Sequence, residues 1–204
     1  MIAGSKDESG RATRMDWPIT GGELAVAAVA ALGVTAVSIY SAHGLAGAMG
    51  AGLGLIMLAI AVIDARHFII PDPLNAAAFA LGLAQAMVLN GQERWMALIE
   101  AGLRAAILAA LFLLLRAGYA RLRGRDGIGL GDVKLAAVAG AWLDWLVMPL
   151  AIEIAAVSAL AAYLFHHVLR KRAMRATARL PFGLFFAPAI WMGWLLQVTW
   201  FASW

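Results

Sequence analysis

The sequence contains no cysteine and few charged residues, and both shortages limit what the protein can be. Without cysteine, disulfides, thiolate nucleophiles, cysteine zinc sites and iron–sulfur clusters are all excluded. Charged residues make up 14% of the 204 residues, whereas a soluble domain has roughly a quarter. Apolar residues make up 63%, and the mean hydropathy is +0.82. The composition therefore predicts an integral membrane protein.

Histidine is also scarce, and its positions do not suggest a metal site. The four histidines are scattered along the chain. The pair at 166–167 falls at a predicted helix end, where an interfacial role is more common than metal binding. We therefore predict neither a histidine-built metal site nor a cofactor.

Long apolar runs alternate with short polar stretches. A helix needs about 20 apolar residues to cross a bilayer, with a range of ~17–25. The runs lack the alternation of barrel strands, so we predict an all-α, polytopic transmembrane helical bundle. The fifth run is short and the first loop is very tight, which gives six to seven spans. The candidate spans are 23–41, 45–63, 73–90, 96–115, 133–145, 147–168 and 184–201.

The basic residues predict how the bundle is oriented. Of the 16 lysines and arginines, 14 fall on one side of the predicted spans. Because basic loops stay in the cytoplasm, the N-terminus is predicted to be cytoplasmic. Residues 1–17 form a short cytosolic tail, and residues 18–204 form a single transmembrane domain. The high pI then reflects topology and contact with anionic lipid, and no nucleic-acid partner is predicted.

Two aspartates lie at the ends of apolar segments on this cytoplasmic side. Asp64 ends the run LIMLAIAVID, and Asp132 follows Gly129-Leu130-Gly131. A carboxylate at membrane depth is costly unless it is paired, hydrated or protonated, so it marks a candidate functional site. The predicted topology places both aspartates at the same depth.

The residues around the two aspartates predict how they meet. Pro71 and Pro73 flank Asp72, and each blocks helix continuation, so the chain breaks between the second and third spans. Gly129 and Gly131 allow a positive φ and a close approach to a neighbour. We expect this glycine loop to bring the second aspartate against the first and to leave room for a substrate strand.

Two facing carboxylates have a specific chemistry. They share a proton and titrate jointly. One can activate a water while the other protonates a leaving amine, which favours peptide hydrolysis. The plainer alternative is that Asp64 and Asp132 are helix-end carboxylates facing water, with Asp132 as an ordinary N-cap.

Three segments carry a resemblance to a known family. AVIDARHFIIPDPLN, RDGIGLGDVKLAAVAGAWL and Leu180-Pro181-Phe182-Gly183 occur in that order. Together they resemble the type IV prepilin peptidases, the G-x-G-D intramembrane aspartic proteases. The resemblance implies a multi-pass protein of the bacterial inner (cytoplasmic) membrane that removes the basic leader from prepilins and pseudopilins. Its active aspartates would be Asp64 and Asp132, without a metal or cofactor. The supporting residues would be Pro71, Asp72, Gly129, Gly131, Lys134, Pro181, Phe182 and Gly183.

The chain is similar to the short members of this family. Bifunctional members have a cytosolic domain with Cys-x-x-Cys motifs, which is associated with N-methylation of the cleaved pilin. No cysteine is present here, which argues against methyltransferase activity. The chain instead resembles the peptidase-only members that serve tight-adherence (Flp-type) pili.

Two other functions use the same aspartates. A membrane transferase could bind Mg²⁺ through Asp64, Asp72 and Asp132 and act on a phosphate-containing substrate, although clustered D-x-x-D spacings are missing. A proton-coupled transporter could use them as a relay, although no inverted repeat is evident. Sensitivity to a chelator distinguishes the first, and cleavage of a prepilin distinguishes both.

Three patterns predict packing rather than chemistry. The small residues of Gly50–Gly54 predict a close helix contact. The tryptophans near span ends, including Trp191 and Trp194, are expected to lie at the membrane interface. The arginine-rich stretch 116–125 is predicted to be a solvated cytosolic loop.

Overall fold

The computed structural model describes residues 21–124, 127–170 and 181–201, and these ranges are helical apart from short connections. The predicted cytosolic tail at 1–17 lies outside the described residues. The helices are α1 (Gly21–Ser41), α2 (Leu45–His67), α3 (Asp72–Leu89), α4 (Arg94–Arg123), α5 (Leu130–Trp142), α6 (Val147–Arg170) and α7 (Gly183–Leu196). A 3₁₀ turn (Gly91–Glu93) precedes α4, and a π turn (Gln197–Phe201) follows α7.

Six of the described helices are long and apolar enough to cross a membrane. The prediction of a polytopic helical bundle is therefore confirmed. The fifth predicted span, 133–145, is wrong as a full crossing. It corresponds to α5, which has 13 residues and is about 20 Å long at 1.5 Å per residue, against a hydrocarbon core of about 30 Å.

Helix α2 lies at the centre of the bundle, in contact with α1, α3 and α7. Its glycines face two indole rings of α7. A methyl group on Gly50 would overlap the ring of Trp194, and one on Gly54 would lie 2.7 Å from Cδ1 of Trp191. The close helix contact predicted from Gly50–Gly54 is therefore confirmed, because only glycine leaves room for the rings.

The interfacial role predicted for Trp191 and Trp194 is wrong for both rings. Trp194 is fully buried between helices. Trp191 is partly buried, and its Nε1–H donates to Ser38 Oγ of α1 at 3.0 Å. Trp142 is also buried, and its Nε1–H donates to the Ala78 carbonyl of α3 at 2.8 Å. These rings join helices inside the bundle because small residues on the facing helices accommodate them.

The predicted cytosolic loop at 116–125 is mostly helical. Helix α4 continues to Arg123 and ends at Gly124, which has φ 66° and donates its N–H to the Ala120 carbonyl. Arginine is a good helix former, so a basic stretch need not end a helix. Helix α4 therefore continues beyond the apolar segment toward the end of the bundle that contains the aspartates.

A polar crevice of about 240 Å³ lies toward the opposite end. Arg104 of α4 is 8% exposed. Its guanidinium lies 3.7 Å from the carboxylates of both Glu100 and Asp144, and its Nε–H donates to the Gly140 carbonyl. Gln85 of α3 also lines the crevice. These contacts connect α4 to the end of the short helix α5.

Candidate active site

Asp64 lies in the last turn of α2 and is 5% exposed. Its Oδ2 accepts a hydrogen bond of 2.9 Å from the backbone N–H of Leu184, in the first turn of α7. The first N–H groups of a helix have no partner within the helix, and the helix dipole favours a negative charge at that end. Asp64 therefore joins α2 to the N-terminus of α7 through its carboxylate.

The segment before α7 is shaped around this carboxylate. A methyl group on Gly183 would lie 2.8 Å from Oδ2 of Asp64. Pro181 immediately precedes Phe182, which is the N-cap of α7. The Phe182 ring lies 5.3 Å from that of Phe186, which in turn stacks at 5.7 Å on Phe112 of α4. The aromatic contacts hold the turn, and Gly183 provides the space for Asp64.

Asp132 lies in the first turn of α5. Its Oδ2 accepts the N–H of Gly129 at 3.1 Å, and Gly129, not Asp132, is the N-cap residue. The interpretation of Asp132 as an ordinary N-cap is therefore wrong, although its carboxylate does bind the N-cap amide. The expected positive φ is also wrong. Gly129 has φ −71°, because an N-cap residue uses extended backbone. Gly131 lies inside α5 and is not among the described glycines with positive φ.

The close approach expected of Gly131 is present. A methyl group on Gly131 would lie 2.9 Å from Cβ of Ile70. Cδ1 of Ile70 would also lie 3.0 Å from a methyl group on Gly183. Ile70 is 9% exposed. Its side chain therefore lies between the two glycine segments, one beside Asp132 and the other beside Asp64.

The two carboxylates interact electrostatically. Burial raises the pKa of Asp132 from 3.8 to about 6. The hydrogen bond from Gly129 opposes this rise in pKa, and the negative charge of Asp64 adds to it. Neighbouring carboxylates resist ionising together, so the site favours a form with one proton on the pair.

Asp72 is engaged differently. Its Oδ1 lies 2.6 Å from Nζ of Lys134, and the two side chains are 70% and 52% exposed. The ion pair joins the first turn of α3, which follows the N-cap Pro71, to that of α5. Exposed pairs contribute at most about 1 kcal/mol. Asp72 and Lys134 therefore align two helices at the edge of the site, and an ammonium group already compensates the third carboxylate.

Two contacts of this region were not predicted from the sequence. Ile70 could have been found as the apolar residue directly before Pro71-Asp72. Arg116 of α4 donates from Nη1 to the carbonyl of Ile128 and so holds the loop before Gly129. Nothing local in the arginine-rich stretch distinguishes Arg116 from its neighbours. Within the described ranges, no three or more histidine or acidic side chains are gathered so as to hold a metal ion.

Comparison with known proteins identifies relatives for this arrangement. A family model described as the type IV leader peptidase family matches residues 51–164, which is more than half of the chain. The chain is 35% identical over 169 residues to a prepilin leader peptidase/N-methyltransferase of Burkholderia pseudomallei, covering 77% of this chain and 50% of that protein. It is 33% identical over 149 residues to the protein of the same name from Pseudomonas aeruginosa, covering 70% and 48%.

A shorter relative is matched over more of its own length. The leader peptidase HopD of Escherichia coli is 33% identical over 130 residues, which cover 62% of this chain and 78% of HopD. By contrast, the chain spans about half the length of the two N-methyltransferase relatives. No solved structure matches the chain.

Proposed function

The chain belongs to the type IV leader peptidase family, and from this membership we propose that it is an aspartic endopeptidase of the bacterial inner membrane. Its substrates are prepilins and pseudopilins, from which it removes the basic leader at the cytoplasmic face. Asp64 and Asp132 form the catalytic pair. The proposal covers leader removal alone, without N-methylation.

The observation that carries the proposal is the electrostatic effect of Asp64 on Asp132, together with the contacts of Ile70 beside both residues. The charge of Asp64 contributes to raising the pKa of Asp132, although the two residues belong to helices far apart in sequence. Ile70 contacts the glycine segments beside both carboxylates. A pair in which one carboxyl group holds a proton is the form that acid–base hydrolysis of a peptide requires.

The mechanism follows from these surroundings. We assign the proton to Asp132, whose pKa is raised to about 6, and the role of base to Asp64, whose carboxylate is bound by the Leu184 N–H. The base takes a proton from water, and the oxygen attacks the scissile carbonyl. Asp132 then gives its proton to the leaving nitrogen as the C–N bond breaks. The products are the leader with a new carboxyl group and the mature protein with a new amino group. Transfer of the proton from Asp64 to Asp132 then restores the starting form of the pair.

The substrate fits the position of the site. A prepilin presents a basic leader followed by an apolar helix. Asp64 lies near the end of a membrane helix, so a junction at the membrane surface can reach it while the apolar helix remains in lipid. The positive-inside rule supports a cytoplasmic location for this surface, and anionic lipid is the expected surrounding partner.

The transferase alternative conflicts with the contacts of Asp72. A site that binds Mg²⁺ through Asp64, Asp72 and Asp132 would need free carboxylate oxygens. Oδ1 of Asp72 is instead 2.6 Å from the Lys134 ammonium, and a divalent cation there would meet like charge. No described contact favours a proton relay over hydrolysis.

Cleavage of a prepilin by purified variants tests the proposal. Asp64→Asn and Asp132→Asn should each reduce cleavage below detection while the protein accumulates in membranes, because removing either half of a catalytic unit erases most of its rate advantage. Asp72→Asn should retain measurable cleavage, because it loses only an exposed ion pair. All three variants should be compared at equal membrane levels with one substrate.

Two outcomes would contradict the proposal. Substantial leader removal by Asp64→Asn or Asp132→Asn, in a strain without a second peptidase, would exclude this catalytic pair. Loss of wild-type cleavage in EDTA that is restored by Mg²⁺ would instead favour a metal-dependent reaction. We expect cleavage to survive EDTA.

A further inference from the structure

Asn75, in the second turn of α3, has a buried amide without a partner. The residue is 3% exposed, and neither Oδ1 nor Nδ2 makes a hydrogen bond among the described residues. An amide buried without partners destabilises a fold, because it gives up its bonds to water and gains none. Such a group in a helical interior needs an explanation.

The buried stripe of α3 places Asn75 opposite α5. The buried residues of this helix are Asn75, Ala78, Gly82 and Ala86, which share one face at helical spacing. Trp142 of α5 contacts this face, because its Nε1–H donates to the Ala78 carbonyl and lies 2.7 Å from a methyl position on Gly82. Asn75 is therefore the residue of this stripe nearest to the first turn of α5, which contains Asp132.

Asn75 and Asp64 lie at equal distances from the two helix ends that the α2–α3 connection joins. Asp64 lies three residues before the end of α2, and Asn75 lies three residues after the start of α3. At 1.5 Å per residue, each is about 4.5 Å from its helix end. The two helices pack against each other. A buried, unpartnered amide therefore lies on α3 between the Asp72–Lys134 ion pair and the Trp142 contact at Ala78, on the membrane side of that ion pair.

The substrate supplies the partners that this amide lacks. Cleavage requires the backbone at the junction to leave its helix, which frees peptide N–H and C=O groups. The first N–H groups of the remaining helix are also unpaired. Within a membrane, such groups must be satisfied by protein. One side-chain amide offers a donor and an acceptor, which match a single peptide unit.

We propose that Asn75 binds the substrate backbone, pairing its Nδ2–H and Oδ1 with one peptide unit just after the cleaved bond. The inference rests on the proposed function, because it requires a peptide substrate at Asp64 and Asp132. The residues after the cleaved bond enter the membrane, and Asn75 lies on the membrane side of the site. Asn75 thus has no partner among the described residues of the free protein and gains one in the complex.

A second amide on the same helix provides the matched control. Oε1 of Gln85 is also buried without a partner in the described part of the chain. Gln85 lies ten residues further along α3, about 15 Å away along the axis, and lines the polar crevice at the opposite end. Asn75→Leu replaces a buried amide and Gln85→Leu a partly buried amide by an apolar group, and only the first should affect the substrate.

The experiment measures cleavage kinetics of a full-length prepilin and the Tm of the detergent-purified protein for wild type and both variants. Both variants should keep or raise the Tm, because each removes at least one buried polar atom that has no partner among the described residues. Asn75→Leu should raise KM about tenfold with kcat within twofold, as expected for loss of binding shared by ground state and transition state. Gln85→Leu should leave both constants unchanged.

Three results would overturn the assignment. The first is an unchanged KM in Asn75→Leu with wild-type cleavage intact. The second is a fall in kcat alone, which would show that Asn75 acts on the catalytic pair. The third is an equal rise in KM in Gln85→Leu. If wild-type protein cleaves no prepilin, the proposed function itself fails and this inference with it.

A binding measurement covers the case in which Asn75→Leu accumulates poorly. The smaller change Asn75→Ala is then combined with Asp64→Asn, which should be inactive. The affinity of this double variant for the same prepilin is compared with the affinity of the single variant Asp64→Asn. A weakening of about tenfold supports the proposal, and equal affinity refutes it.

Discussion

At the scale of single residues, two chemically identical carboxylates differ in what surrounds them. Asp64 is bound by an N–H of α7. Asp132 is bound by the N–H of Gly129, in the same turn, and burial raises its pKa to about 6. The two residues can therefore take different roles, and the proposed mechanism assigns the proton to Asp132.

The pH dependence of cleavage follows from this pKa. Asp132 has an ordinary pKa of 3.8, which the folded protein raises to about 6. Between these two pH values the folded protein therefore keeps a proton on Asp132 that the unfolded chain loses. The contribution of this group to folding stability is therefore lost as pH rises through that window. If Asp132 is the acid, kcat/KM of the wild type should fall as pH rises through about 6. The measurement is kcat/KM against pH in detergent.

A pair of substitutions at Gly129 tests whether Asp132 causes this fall in kcat/KM with rising pH. Gly129 has φ −71°, which proline also adopts. Gly129→Pro removes the N–H that lowers the Asp132 pKa, whereas Gly129→Ala adds a Cβ and keeps the N–H. The fall in kcat/KM of the proline variant should be centred roughly one pH unit higher than the fall of the alanine variant. An identical pH dependence in the two variants would show that a group other than Asp132 causes the fall in kcat/KM.

At the scale of helices, the site is the meeting point of three helix ends. The last turn of α2, the first turn of α5 and the start of α7 each contribute one part, and Ile70 fills the space between them. The segments approach so closely that glycine is required at the contacts. The position of α7 relative to α2 therefore controls the position of the Asp64 carboxylate.

Gly183→Ala tests this dependence. The added methyl group would lie 2.8 Å from Oδ2 of Asp64, so the carboxylate or the start of α7 must move. A displacement of about 1 Å in a catalytic group can cost ~10²-fold in rate, and we expect kcat to fall at least roughly tenfold. Gly102→Ala in α4 meets nothing within 4 Å and is the matched control. Equal activities in the two variants would show that α7 does not position Asp64.

The sequence predicted the helices and the two aspartates better than their contacts. Apolar runs reveal spans because bilayer thickness sets their length, and Asp64 and Asp132 are conspicuous because charge is rare. The burial of Trp194 and the partner of Arg116 depend on which helices become neighbours, which no local pattern encodes. The unpartnered amide of Asn75 was missed for the same reason, since an asparagine two residues after Pro73 resembles an ordinary turn residue.

At the scale of the whole molecule, the charge distribution and the site face the same way. Among the described residues, Arg66, Arg121, Arg123 and Lys134 lie at the end of the bundle where α2 ends and α3, α5 and α7 begin. Asp64 and Asp132 lie at that end. A leader with basic residues would remain in the cytoplasm by the same rule that orients this protein. The orientation of the protein therefore decides whether a cytoplasmic leader can reach the site. This orientation can be measured without a substrate.

The absence of cysteine makes this orientation directly measurable, because one introduced thiol is the only thiol in the chain. Gln92 is exposed in the connection between α3 and α4, and Leu122 is 86% exposed at the other end of α4. A membrane-impermeant maleimide added to intact spheroplasts should label Gln92→Cys and should label Leu122→Cys only after lysis. Both variants should still cleave prepilin, which shows that the labelled molecules are folded. The reverse labelling pattern would place Asp64 and Asp132 at the outer surface, where a cytoplasmic leader could not reach them, and would contradict the proposed function.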